Sequence, residues 1–254
     1  MSRSLSRRKL ITAGLATAGG ASGLAAAARL ADRYGLIPPD HGGIYGVGET
    51  LTYAAHRLLM SGHSLAREFN RGEISKVAPE NGAPPANEIF RRLLAGGFAD
   101  WRLTVDGLVA RPASISLAEL KRHPARTQIT HMACEEGWSF IAEWTGVPLS
   151  HVLNLAGVLP QAKYVVYSSL DEGWWDSIDM REAWHPQTLL AYGMNGQELP
   201  TGHGAPVRMR VARQLGYKNV KHLARLTVTD SVRNFGKGLG SAAPEAGYSW
   251  YAGI

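Results

Sequence analysis

An α+β fold of mixed sheets and short helices, built as a single domain, is what the sequence predicts, and three observations predict it. Segments with strand periodicity recur from Trp101 to Thr229. The helical segments between them are short, as at Ser116–Leu120 and Leu149–Ala156. No internal repeat is evident, and 254 residues with 45% hydrophobic and 19% charged content suffice for one sizeable core.

Taken in order, residues 1–30 read as a targeting segment. Ser6-Arg7-Arg8-Lys9-Leu10-Ile11 sets two adjacent arginines ahead of the weakly apolar, uncharged stretch Leu10–Ala28. This resembles a twin-arginine export signal, with Leu10 where Phe is usual. Leu24-Ala25-Ala26-Ala27-Ala28 offers Ala-x-Ala cleavage sites. A retained anchor is the alternative, since about 19 residues is close to a spanning length, although Gly and Ala make a poor spanning helix. The twin-arginine route carries folded proteins, so such a signal points to a cofactor inserted before export.

Residues 31–86 are expected to form an N-terminal arm wrapping a later core. The arm contains Gly42-Gly43, a helical stretch from Leu51 to Phe69 and the Pro/Gly/Asn-rich Ala78–Pro85. The domain proper is expected at 87–230, with a tail at 231–254. Inside it, Arg102–Val109 alternates and turns at Asp106-Gly107 as a hairpin. Ser116 caps a short helix, with Glu119 completing a capping box. Thr127–Met132 is a strand leading into Cys134. Leu149–Ala156 is a helix, and Tyr164–Ser168 is a buried strand ending in polar residues, where chemistry tends to collect. An apolar run within Pro186–Met194 precedes the hairpin turn Asn195-Gly196. Val207–Val211 and Leu223–Thr229 are strands joined by a loop holding Gly216–Lys221, and Asp171–Trp184 is a short acidic, tryptophan-rich connection.

The formal charge of +6 includes Arg3, Arg7, Arg8 and Lys9; without that segment it is about +2. No later Lys/Arg-rich run and no interleaving of aromatic with basic residues supports nucleic-acid binding. Cys134 is the only cysteine, so the chain has no internal disulfide. It is either a small buried hydrophobe or a thiolate bonded to a soft metal. Covalent haem attachment is excluded, because Cys-x-x-Cys-His needs a second cysteine.

Five motifs occur in order over some 130 residues: Trp101-Arg102-Leu103-Thr104-Val105-Asp106-Gly107; Cys134-Glu135-Glu136-Gly137-Trp138; Leu189-Leu190-Ala191-Tyr192 with Asn195-Gly196; His203-Gly204-Ala205-Pro206-Val207-Arg208; and Gly216-Tyr217-Lys218-x-x-Lys221. Together they resemble the molybdopterin domain of the sulfite-oxidase superfamily. Within it, Cys-x-Glu-x-Trp is closer to the periplasmic methionine sulfoxide reductase catalytic subunit type than to true sulfite oxidases.

That resemblance implies a molybdenum-molybdopterin cofactor with Cys134 as the protein's metal ligand. It further implies pterin contacts from Asn87, Phe90 and Arg91, a small hydroxyl contact from Ser169, and paired contacts from His203 and Arg208. Asn219, Val220 and Lys221 would hold the terminal phosphate through backbone and lysine. The residue types suit these roles, since Arg208 is a planar fork and Lys221 a flexible point charge, while Gly216 permits close approach or a sharp turn.

Glu135 and Glu136 stand where sulfite oxidases carry cationic side chains, which disfavours sulfite on charge. The expected reaction is oxygen-atom transfer reducing S-oxides, small or protein-bound, such as methionine sulfoxide. Glu136 is a candidate proton relay, with a structural carboxylate as its alternative, and Trp138, Trp174 or Trp175 offer apolar walls. Oxidation of sulfite or another small sulfur compound is the alternative reaction, and a non-catalytic exported binding module is the alternative class. The 25 residues after Thr229 leave no room for a dimerisation domain, so a monomer fed by an external haem protein is expected.

Overall fold

Alternation along Arg102–Gly107 buries Leu103 and Val105 on one face, and this strand anchors the first of two five-stranded sheets. The computed structural model describes residues 23, 25–59 and 64–254, so the export motif and most of the apolar stretch behind it lie outside the described residues. The first sheet comprises β1 (Arg102–Gly107), β2 (Ala113–Ser116), β5 (Tyr164–Ser169), β6 (Trp175–Asp179) and β10 (Leu223–Thr229). Its order is β2-β1-β10-β5-β6, with β1 and β10 parallel and the other pairs antiparallel. The second holds β3 (Arg126–Ala133), β4 (Ser139–Pro148), β7 (Thr188–Met194) and β8 (Gln197–Glu198), with β9 (Arg208–Val211) on the other side of β7.

One hydrophobic cluster joins the sheets. Leu103, Val105, Val165, Tyr167 and Leu226 come from the first, and Val147, Leu190, Met209 and Val211 from the second. A smaller cluster of Met132, Phe140, Trp144 and Leu199 lies beside the β3–β4 hairpin. Each fully buried side chain of this size stabilises the fold by about 1.5–3 kcal/mol.

The helices are short because their caps are local. α2 (Glu88–Ala95) begins where Asn87 Oδ1 accepts the Phe90 N–H at 2.8 Å. α3 (Leu117–Leu120) starts on the expected capping box, Ser116 N–H donating to Glu119 Oε2 at 2.8 Å and Glu119 N–H to Ser116 Oγ at 3.1 Å. α4 (Leu149–Ala156) ends at Gly157, whose φ of 69° closes the helix onto the Leu153 and Asn154 carbonyls. Asn195-Gly196 is the expected two-residue turn, with φ of 51° and 78° and Met194 paired to Gln197.

Three expectations are corrected. The helix of the arm, α1 (Gly46–Leu59), begins earlier and ends ten residues sooner than expected. From residue 64 the chain is extended: Gln187 clasps the Ala66 N–H and carbonyl, and Phe69 N–H donates to Ile129 of β3, so sheet-edge bonds replace the expected helix there. Asp106-Gly107 is not a turn. It closes β1, Asp106 binds Arg225 and Thr227 of β10, and the reversal into β2 is made by residues 108–112. Asp171–Trp184 is not merely a connection, because it contains β6 and α5 (Met180–Ala183). The polar side chains that disguise β6 are buried against partners, Asp176 with Lys218 and Asp179 with Arg57.

Arm and tail pack together. Tyr53 of α1 meets Trp250 and Tyr251 edge-on at 6.1 and 5.4 Å, and α6 (Ala242–Glu245) lies in the tail near β6.

Candidate functional site

Cys134 sits at the tip of the β3–β4 hairpin. Its N–H donates to the Trp138 carbonyl at 2.9 Å, Gly137 N–H donates back to the Cys134 carbonyl at 3.1 Å, and Gly137 takes a φ of 92° to close the turn. The thiol faces a cleft of about 280 Å³ whose lining comes from five separate segments. The Asn81 amide donates to Sγ at 3.6 Å, and Glu135 Oε2 lies 3.4 Å from it. Burial, and then the neighbouring Glu135 carboxylate, push the thiol's pKa up, so without a metal it stays protonated. Trp138 stacks on Phe140 at 6.0 Å, and both line the cleft with Trp174.

The opposite wall is cationic. Arg208 is buried, donating to the His203 carbonyl at 2.9 Å and the Asn219 carbonyl at 2.8 Å. Arg210, buried behind it, binds Asn219 Oδ1, Thr130 Oγ1 and the His131 carbonyl. Both guanidiniums approach the Trp144 ring, at 5.2 and 5.5 Å. Lys221 Nζ donates to the Asn81 and Gly202 carbonyls at 2.5 Å each. Among the described residues no carboxylate forms an ion pair with any of these three cations.

Burial lowers Arg208 to about 10, and burial with the Arg208 charge lowers Arg210 to about 9. Burial, then Arg208, brings Lys221 to about 8. His203 and His222 fall to about 4, chiefly through burial and also through the Arg208 and Lys221 charges, so both are neutral at pH 7.

Of the residues singled out from sequence, Cys134, Ser169, His203, Arg208, Asn219 and Lys221 line this cleft. Asn87, Phe90, Arg91, Val220 and Glu136 do not. Asn87 is spent on capping α2 and donating to the Leu170 carbonyl, Phe90 and Val220 belong to the core, and Arg91 is exposed. Glu136 points away and accepts the Trp138 indole N–H at 2.9 Å, leaving Glu135 as the carboxylate beside the thiol. Of the other tryptophans named, Trp174 lines the cleft whereas Trp175 packs against Phe235.

Asn219 contributes by bracing. Its side chain accepts from Arg210 and the Val211 N–H and donates to the Gln214 and Leu215 carbonyls, fixing the loop that presents Lys221. Gly216 serves close approach, since a Cβ there would stand 3.3 Å from Cys134 Cα and Glu135 Oε2. Asn81, Glu135, Phe140, Asp171, Tyr217 and His222 also line the cleft. Glu135 was flagged beside Cys134, and Tyr217 and His222 lie in or next to the Gly216–Lys221 motif, whereas Asn81 and Asp171 sit in loops without a signal and Phe140 within a strand pattern.

This donor set suits one kind of ligand. A single thiol with no cluster of three or more His, Cys, Asp or Glu around it, among the described residues, can only complete the coordination of a metal that brings other donors. Three cations that form no ion pair, with Glu80 only partly offsetting Lys221, call for an anion. Molybdopterin supplies both, through its sulfur donors and its phosphate.

The family model for the oxidoreductase molybdopterin binding domain matches residues 94–235, more than half of the chain. The chain belongs to this family. Molybdenum-molybdopterin is therefore the cofactor that the fold serves. Among curated relatives, a protein of Azospira oryzae provisionally named protein-methionine-sulfoxide reductase subunit YedZ1 is 41% identical over 155 residues, covering 61% of this chain and 56% of that protein. The protein-methionine-sulfoxide reductase catalytic subunit MsrP of Xanthomonas campestris is 35% identical over 147 residues, covering 52% and 46%. The chain thus spans about half the length of these relatives. Among solved structures, the sulfane dehydrogenase SoxCD of Paracoccus pantotrophus superposes with a TM-score of 0.51 at 29% identity, over 52% of this chain and 39% of that one.

Proposed function

We propose that this chain reduces S-oxides, such as free or protein-bound methionine sulfoxide, at a molybdopterin-bound molybdenum to which Cys134 supplies the protein's thiolate. The net reaction consumes two electrons and two protons and releases a thioether and water. The observation that carries this reading is the meeting of one inward-facing thiol with a wall of cations that, among the described residues, form no ion pair.

When bound, the cofactor supplies oxygen-atom transfer and the two-electron redox change. The chain's residues do the rest. Arg208 and Lys221 hold the phosphate end, one as a fork and one as a point charge. Asn219 and Gly216 keep that loop against the Cys134 turn. Metal binding would displace the thiol proton that burial and Glu135 otherwise retain. Trp138, Phe140 and Trp174 give an apolar wall that excludes water and accepts an alkyl sulfoxide. Glu135 and Asp171 face the same space, and like charges about 4 Å apart at an effective dielectric near 20 repel by roughly 4 kcal/mol. That disfavours a dianion and favours a neutral substrate.

We place the enzyme in the periplasm, exported through the twin-arginine segment 1–30 as a monomer and supplied with electrons by an external haem protein. The arm, domain and tail are proposed at 31–86, 87–230 and 231–254. A second reading, oxidation of sulfite or another small sulfur compound, is supported by the likeness to a sulfane dehydrogenase. Metal analysis and electron paramagnetic resonance of the exported protein and of Cys134→Ala test the site, and dye-linked assays with sulfoxides and with sulfite test the reaction. Stoichiometric molybdenum, a sulfur-ligand signature absent from Cys134→Ala, and sulfoxide turnover are expected. Turnover of sulfite alone overturns the preferred direction, and protein without molybdenum indicates a binding module.

A further inference from the structure

Surface helices ordinarily turn their charged residues outward, and α1 does the reverse. Its ionisable residues face the body. Arg57 pairs with Asp179 at 2.7 Å, the His56 ring lies 6.0 Å from that of Tyr251, and Glu49 lines a tyrosine-rich groove against the tail. Every exposed residue from Gly43 to Leu59 is uncharged. Val47, Leu51, Ala55 and Leu58 form a stripe at helical spacing, Val47 at 74% and Leu58 at 70% exposure, with Leu59 beside it at 84% and exposed Ile44 on the turn just before the helix. Isolated exposed leucines need no explanation, but a continuous uncharged face about 21 Å long does.

What covers it follows from the chain upstream. The uncharged stretch Leu10–Ala28 runs into an exposed helical segment, residues 25–33, which carries exposed Leu30 and is followed by exposed Tyr34. Asp32 lies close enough to Tyr164 to disfavour its ionisation; Tyr164 contacts Trp250, and Trp250 contacts Tyr53 of α1. The described end of the upstream stretch and α1 are thus both tied to the Tyr164–Trp250 cluster. The 15 residues between them can reach at most about 50 Å, so both can meet one flat apolar phase. A protein partner would be expected to find aromatic or arginine anchors and a polar rim; α1 offers aliphatic side chains. At 14 residues it is too short to span a bilayer, and no described helix is long and apolar enough to do so.

We propose that α1 lies in the plane of a lipid bilayer surface, with Ile44, Val47, Leu51 and Leu58 buried at the acyl-chain boundary. Docked in this way, the helix brings the membrane beside the groove whose far wall, Glu135 and Tyr217, also lines the cleft. The proposal is independent of the redox chemistry and stands whichever sulfur compound reacts.

The test places an environment-sensitive nitrobenzoxadiazole label on Val47→Cys in the full chain carrying Cys134→Ser, mixed with phosphatidylcholine vesicles. A severalfold rise in emission, quenched by brominated acyl chains, is expected. The same label on Arg122→Cys, on the exposed turn after α3, should stay unchanged. Adding Leu51→Glu and Leu58→Glu should weaken vesicle binding of the Val47 label at least tenfold, since two buried apolar contacts are lost, with an unchanged circular dichroism spectrum. A silent label overturns the proposal, as does a response that survives the double substitution. A dimer in vesicle-free solution that the double substitution dissociates also overturns it, in favour of a second copy of the chain.

Discussion

Buried cations occur in two regions of this protein, and their company differs. Behind the cleft, Lys218 meets Asp176 at 2.6 Å and Arg213 meets Glu182, all four groups almost fully buried. At the cleft, Arg208 in the wall and Arg210 behind it are just as buried but bond only to carbonyls and amide or hydroxyl oxygens. The first arrangement is complete within the chain. The second lacks charge balance, and Arg210 Nε is buried without a hydrogen-bond partner, which in a low-dielectric interior favours an incoming anion. The comparison separates structural ion pairs from a ligand site more clearly than residue type does, since Lys218 and Lys221 are three positions apart in one motif.

The largest effect is expected where a balanced pair is broken. Asp176→Asn leaves Lys218 buried without its acid and should cost about 3–5 kcal/mol, about 10 °C in thermal midpoint for a chain of this size. Calorimetry of the metal-free protein measures it, and a loss under 1 kcal/mol would erase the contrast. Arg208→Met should cost the metal-free fold less than Asp176→Asn, yet lower cofactor retention by about 10- to 100-fold, the value of a charge-assisted hydrogen bond. Molybdenum content after dialysis reads this out. Lys221→Gln should lower retention about tenfold, because the lysine is a single point charge.

A pH dependence follows from the two histidines beside the cationic wall. Unfolded, each takes up a proton as pH falls through about 6.5, whereas in the fold His203 and His222 resist protonation until about 4. Between these values the unfolded chain binds more protons, so stability should decline as pH drops from 6.5 to 4. Urea midpoints across that window test it: His203→Gln with His222→Gln should flatten the slope. The smallest contrast concerns neighbouring acids. Glu136→Gln should change sulfoxide turnover less than twofold, and Glu135→Gln should change it more, since only Glu135 reaches the thiol. Equal effects would deny Glu135 its place.

Much of the fold was legible because it is locally encoded. The Ser116 capping box, the Asn195-Gly196 turn and the helix closed by Gly157 each depend on residues within four positions. β6 was not legible, since its acids and Ser177 are buried against groups brought from Lys218, Arg57 and Gly240. β7 was visible only as an apolar run, because strands on both edges and packing on both faces remove its alternation. In the site, residues that end strands or open motifs were found, whereas Asn81 and Asp171 carried no periodic signal.

The sequence by itself determined the family, the lone thiol and the cations that accompany it, because ordered motifs and residue chemistry are one-dimensional facts. Only the tertiary structure decided which acid faces Cys134, which lysine is neutralised and which left open, and which face of α1 is bare. Charge balance and exposure are set by neighbours remote in the chain, and no local pattern records them.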